Sequence, residues 1–171
     1  MNLLDLISES RSDYEIHNRD KLDSILVDLC QLVIAGQRSE PHYWGYVAAA
    51  VLDHRNQICK SINYYDARTD DRVHAERAAL DRYYEKYGEK PPRGSIIITT
   101  CSPCSIDNMI GRYGQSCTDL INESGIRKVY AGFLDPSQVD TPDYQHKKFN
   151  LETTRNSKIN KLCERFARTF L

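Results

Sequence analysis

The chain has 171 residues, 40% of them hydrophobic and 27% charged, with a formal net charge of −1. That length suits one domain, 1–171, with a full core, and the near-neutral charge fits a small substrate better than a polyanionic partner. No stretch approaches the length of a membrane span, Met1–Leu6 lacks the basic start and apolar core of a secretory signal, and six cysteines without such a signal argue for a reducing cytoplasm rather than a disulfide framework.

In chain order, residues 1–18 read as a mobile extension or a partner-contacting arm. From Asp20 to Ala35, Leu22, Ile25, Leu26, Leu29, Leu32 and Val33 recur at helical spacing, and Gly36 marks the expected stop. Gly45 to Asp53 and Gln57 to Asn63 read as two strands of a hairpin turning at His54-Arg55-Asn56. A helix is predicted from about Val73 to Lys86, with Asp70-Asp71 before it and Gly88 after it. Ser95 to Thr100 is a buried strand, Cys117 opens a helix that ends at Gly125, and Arg127 to Phe133 is a second buried strand. Strand, helix, strand, helix, strand implies parallel pairing with crossover helices, and the preceding hairpin makes the sheet mixed. The expected fold is a three-layer α/β/α domain with a mixed, about five-stranded sheet.

Residues 147–171 carry seven Lys or Arg against two Glu. Ile159, Leu162, Cys163, Phe166 and Phe170 form one helical stripe, and Lys158, Lys161, Arg165 and Arg168 another. The favoured reading is a docked basic C-terminal helix with a solvated charged face; the sharper one is a phosphate or RNA contact.

The chemistry concentrates in Val73-His74-Ala75-Glu76-Arg77-Ala78, Thr100-Cys101-Ser102-Pro103-Cys104 and Cys117. One imidazole, two thiols and an adjacent carboxylate not needed as a ligand supply the parts of an open catalytic zinc site, with three protein ligands and room for water. His74 and Glu76 are two apart and converge only in the first turn of a helix, where side chains point past its end. The second thiol has competitors. Cys117 is favoured because it begins a helix-like segment, while Cys101, two residues short of Cys104's neighbour Pro103, and Asp107 also offer donors.

His74-Ala75-Glu76 with Pro103-Cys104 and a later Cys resembles the zinc-dependent cytidine/deoxycytidylate deaminase superfamily, whose signature is H-x-E followed by P-C-x-x-C. Asn63-Tyr64-Tyr65-Asp66-Ala67 is similar to the segment that precedes the first ligand in free cytidine deaminases. Ile126 to Pro136 is most similar to the deaminase domain of the bifunctional riboflavin-biosynthesis enzyme, a branch that also separates its two zinc cysteines by more than two residues. The resemblance covers roughly 43–136. It departs from the usual pattern at 107, where Asp107 stands in place of a second Cys, and at Tyr65, which replaces a ribose-binding Glu.

The resemblance implies Zn²⁺ held by His74, Cys104 and Cys117, with Glu76 as the catalytic proton shuttle. It implies substrate contacts from Asn63 to sugar or ring, from the backbone of Ala75 to the pyrimidine carbonyl, and from the carbonyl of Ser102 to the amino group. Tyr43 or Trp44 is a candidate to stack on the base. The expected function is hydrolytic deamination of a cytosine-type or other aminopyrimidine nucleoside or nucleotide, with release of ammonia. Rival readings are a polynucleotide (DNA or RNA) deaminase, including a toxin-type one, a riboflavin-pathway aminopyrimidine deaminase, and a non-catalytic module with structural zinc. A homo-oligomer is common in the superfamily, and no membrane partner is expected.

Overall fold

The computed structural model describes residues 3–39, 45–68, 71–105 and 115–168. The elements are α1 (Leu3–Ser39), β1 (Ala48–Leu52), β2 (Ile58–Ile62), β3 (Tyr64–Asp66), β4 (Asp71–Val73), α2 (Ala75–Tyr87), β5 (Ile96–Cys101), α3 (Cys117–Ser124), β6 (Lys128–Phe133), α4 (Pro136–Val139), a 3₁₀ turn (Pro142–His146), β7 (Asn150–Thr153) and α5 (Ser157–Ala167). Five strands form one mixed sheet in the order β2-β1-β5-β6-β7. β1 pairs antiparallel with both β2 and β5, while β5–β6 and β6–β7 are parallel.

Strand alternation divides the core between two faces. Ala48, Ala50, Leu52, Ile98 and Tyr130 pack with Leu22, Leu26, Leu29 and Val33 of α1 and with Ile159, Cys163 and Phe166 of α5. Their neighbours in sequence, Ala49, Val51, Ile97 and Val129, pack on the other side with Ala79 and Tyr83 of α2 and Ile121 of α3. The result is the expected three-layer α/β/α arrangement. No described helix is long and apolar enough to cross a membrane.

Two carboxylates, one buried and one half-buried, tie the layers together. Asp53, at the β1–β2 turn, accepts from the backbone N–H of Arg55 and of Gln57 through Oδ1, and from Tyr83 of α2 (2.8 Å) and Arg55 Nε (3.1 Å) through Oδ2. Burial pushes this carboxyl up, but those donors together outweigh it and hold the group below its ordinary value. Asp23 of α1 accepts from Tyr130 of β6 and from Thr154 beyond β7.

Two glycines mark close approaches. A Cβ on Gly132 in β6 would lie 2.3 Å from Cys163 Sγ, so α5 can seat at its observed depth only on a bare strand position. Cys163 Sγ in turn lies 3.6 Å from Cys30 Sγ of α1. A Cβ on Gly36 would come within 2.8 Å of Ile62 Cδ1. Gly36 was expected to stop the first helix, but α1 runs through it to Ser39, and the residue serves packing rather than termination.

Other expectations shift for similar reasons. α1 begins at Leu3 rather than Asp20. Leu32, assigned to the apolar stripe, is 37% exposed. The expected helix from 147 is shorter, since Asn150–Thr153 forms the edge strand β7 and α5 begins at Ser157. The β3–β4 hairpin was not foreseen. Tyr43, Trp44, Asp70, Asp107 and Phe170 lie outside the described residues.

Candidate active site

Two helix starts and one strand end converge. His74 is the N-cap of α2 but makes no capping bond with its side chain. The ring turns instead toward two sulfurs: Nδ1 lies 3.5 Å from Cys104 Sγ and 3.3 Å from Cys117 Sγ. Cys117 is the first residue of α3, whose cap is Ser116; its Oγ accepts from Asp119 N at 3.1 Å and donates to the Asp119 carboxylate at 2.8 Å. Cys104 sits three residues beyond β5. Its carbonyl accepts from both the backbone N–H and the hydroxyl of Thr118, and its sulfur accepts from Cys117 N at 3.3 Å. The start of α3 therefore both supplies one thiol and anchors the other.

The donor set has the chemistry and spacing of a zinc site. The three donor atoms lie within 4.8 Å of one another. Tetrahedral zinc with Zn–S of about 2.3 Å and Zn–N of about 2.0–2.1 Å needs nitrogen–sulfur separations of about 3.5 Å. The two His74–Cys distances fall at that value without any group between them needing to move far. No fourth protein donor joins the cluster among the described residues, which is the arrangement of an open site.

Glu76, in the first turn of α2, is 4% exposed and accepts from Cys117 Sγ at 3.4 Å. Burial, reinforced by the negative charge at Cys104, pushes its carboxyl up. The Cys117 thiol holds Cys104 down at about 5, and the same hydrogen bond, with burial, drives Cys117 up. The two thiols thus titrate as a pair in which Cys104 deprotonates first. Cys101 behaves differently: burial and the charge of Asp135 push it up to about 12, and it is not in the donor cluster. A cavity of about 570 Å³ opens above the site, within the range of small-ligand pockets.

Residues 23–133 match the family model for the cytidine and deoxycytidylate deaminase zinc-binding region. The chain belongs to this deaminase family. Zinc is the metal of the family, and His74, Cys104 and Cys117 form the candidate site for it. Among solved structures, the chain is similar to a diaminohydroxyphosphoribosylaminopyrimidine deaminase/5-amino-6-(5-phosphoribosylamino)uracil reductase from Thermotoga maritima, at 30% identity and a TM-score of 0.52 over 71% of this chain. It spans only 33% of that bifunctional protein. A tRNA:A34 deaminase shares the fold at 18% identity, with a TM-score of 0.55, covering 86% of this chain and 99% of the other. A dCMP deaminase from the cyanophage S-TIM5 is 23% identical over 63% of this chain and 79% of its own, with a TM-score of 0.45. None of the curated proteins matches the sequence.

In this deaminase-family chain the other anticipated residues reach the cavity as well. Asn63, Ala75, Glu76 and Ser102 all line it. Asn63 is already busy: Oδ1 accepts from Val47 N at 2.8 Å and Nδ2 donates to the Gly45 carbonyl at 2.9 Å, which pins the chain ahead of β1. Ser102 donates its N–H to the Phe133 carbonyl and accepts from Asp135 N through Oγ, so the ends of β5 and β6 are locked together. Among the polar lining residues, Arg72 on β4 and Gln138 in α4 were not anticipated, while Arg168, just past α5, belongs to the basic stripe offered by the sequence for a phosphate contact, and Asp135 lies in the segment similar to the riboflavin-type branch. Gln138 is buried and fixed through Oε1 by Ser105 N. For Arg72 the one signal in the chain is adjacency, two residues before His74.

Proposed function

We propose that this chain is a zinc-dependent hydrolytic deaminase that converts an aminopyrimidine nucleoside or nucleotide to its oxo form and releases ammonia. The observation that carries the reading is Glu76, a buried carboxylate beside three metal-type donors and not needed among them. A structural zinc site closes its shell with a fourth ligand and leaves such a residue without a task.

When bound by His74, Cys104 and Cys117, zinc would supply Lewis-acid activation of a water at neutral pH. Glu76 takes a proton from the attacking water and delivers it to the ring nitrogen beside the amino-bearing carbon. It then protonates the departing amine, so that water and amine exchange for carbonyl and ammonia. The carboxyl thus serves as base and then as acid within one cycle. The N–H of Ala75, one of the orphan donors at the start of α2, is assigned to a ring carbonyl. The Ser102 carbonyl is assigned to the amino group, and the remaining amide hydrogen of Asn63 to sugar or ring.

Similarity at 30% identity to the Thermotoga maritima enzyme supports a second candidate substrate, the phosphoribosylated diaminopyrimidine named for that protein. Ammonia release distinguishes the two. The purified zinc-loaded protein is incubated with cytidine, deoxycytidine, their monophosphates, the phosphoribosylated diaminopyrimidine and single-stranded DNA and RNA. Turnover of a small aminopyrimidine that disappears in Glu76→Ala is the expected result; turnover only of polynucleotide would replace the reading.

A further inference from the structure

We propose that Arg72 and Arg168 form a phosphate-recognition site in the cavity, so that the substrate is a phosphate monoester rather than a free base or nucleoside. The inference rests on the deaminase reading and adds to it the group that the pocket selects. Both arginines line the cavity that holds His74 and Glu76, yet they come from distant parts of the chain, β4 and the residue just past α5.

The two have different supports. Arg72 is exposed at the centre of a short strand, directly across from Tyr65 in the β3–β4 register. Arg168 is oriented by Glu164 one turn back, whose Oε1 accepts from Nε at 3.1 Å and Nη2 at 2.6 Å. A guanidinium carries five N–H donors, so this pair spends two and leaves three. The Arg168 side chain is 68% exposed, and an exposed i,i+4 pair contributes little, so Glu164 aims the fork without consuming it.

Two carboxylates, Glu76 and Asp135, also line the cavity. Glu76 is buried at the floor beside the sulfurs, and Asp135 is occupied in capping α4 through Ser137 N at 2.9 Å. An anionic group on the substrate is therefore directed away from the floor and toward the two guanidiniums. Bidentate forks suit phosphate better than a sugar hydroxyl, because each can donate two parallel bonds to charged oxygens. The phosphate is assigned to a mononucleotide rather than to a nucleic-acid backbone, since Lys158, Lys161 and Arg165 of α5 are not among the residues that line the cavity.

The test uses ligands that do not react. Binding to the zinc-loaded protein is measured by calorimetry for deoxyuridine and its 5′-monophosphate, and for ribose and ribose 5-phosphate as probes without a base. The monophosphate is expected to bind at least about tenfold tighter than the nucleoside, the equivalent of 1.4 kcal/mol. Ribose 5-phosphate is expected to compete where ribose does not. Arg72→Ala and Arg168→Ala should each collapse the nucleotide-to-nucleoside ratio roughly tenfold or more, with Arg168→Lys intermediate. Lys161→Ala, which removes the same charge from the outward face of α5, should keep the ratio.

Equal affinity for the phosphorylated and unphosphorylated ligands overturns the proposal. So does an equal loss of both in the arginine variants, or an effect of Lys161→Ala as large as theirs. A single-stranded oligonucleotide that outcompetes the monophosphate, with a salt slope reduced by Lys161→Ala, overturns the mononucleotide assignment. A preserved phosphate ratio without turnover of any aminopyrimidine would sink the deaminase reading and leave this site standing.

Discussion

α2 and α5 both contribute to the cavity, but their first residues are used in opposite ways. Asn156 caps α5 with its side chain, accepting from Lys158 N and Ile159 N. His74 occupies the same position on α2 and gives its backbone no such bond, because the ring is turned to Cys104 and Cys117. α3 takes a third course: it keeps a capping serine at 116 and puts the functional thiol one residue later. A helix start can stabilise the fold or equip the site. Of these three, α3 does both by splitting the two duties between neighbours.

The largest expected effect breaks the α2–α3 meeting itself. Cys117→Ala should lose most of its zinc by metal analysis, because two protein donors are too few to hold the ion in an open site. Retention in that variant, with loss in Cys101→Ala, would move the ligand assignment. Glu76→Ala should keep both zinc and fold while turnover falls by about 10² to 10⁴, the usual contribution of a general acid–base group. Loss of metal from that variant would instead make Glu76 a ligand.

On the α5 side the effects fall on stability. Phe166 is buried at 4% exposure, and Phe166→Ala should lower unfolding stability in urea by about 3–5 kcal/mol. Asn156→Ala should cost about 1 kcal/mol. His74→Asn sharpens the contrast: it abolishes zinc binding, yet in metal-free protein it should raise stability by about 0.5–1 kcal/mol by installing the missing cap. A metal-free His74→Asn protein weaker than its parent would show that the histidine supports the fold as well as the site. Lys161→Ala, on the solvated face, should stay within about 0.5 kcal/mol of the parent.

The floor of the site was readable in the linear chain because zinc chemistry constrains it there. A ligand and its proton carrier must share a first helical turn, and a thiol that follows a strand is delivered at that strand's end. His74, Glu76, Cys104 and Cys117 carry those constraints as residue types in order. The rim was legible only in part: Arg168 stood among four basic residues offered for a phosphate contact, but its place at the cavity follows from the docking of α5, and that of Arg72 from a three-residue pairing. The alternation that separates Ala48, Ala50 and Leu52 from Ala49 and Val51 was visible as a strand, but not the layer each set would meet. β7 leaves no legible pattern, because an edge strand of four residues, Asn-Leu-Glu-Thr, has too few apolar positions to show a period.

Gly132 gives the molecule a property that no cavity residue reveals. Position 132 lies beneath Cys163, and Cys163 lies five residues before Arg168, about 7.5 Å along a helix. A methyl group placed there would meet Cys163 Sγ and Cβ and come within 3.1 Å of the Thr100 carbonyl, so it would act as a wedge under α5, the short lever that carries Arg168. The seat of a rim arginine thus rests on a bare position under α5, on the opposite face of the sheet from α2 and α3.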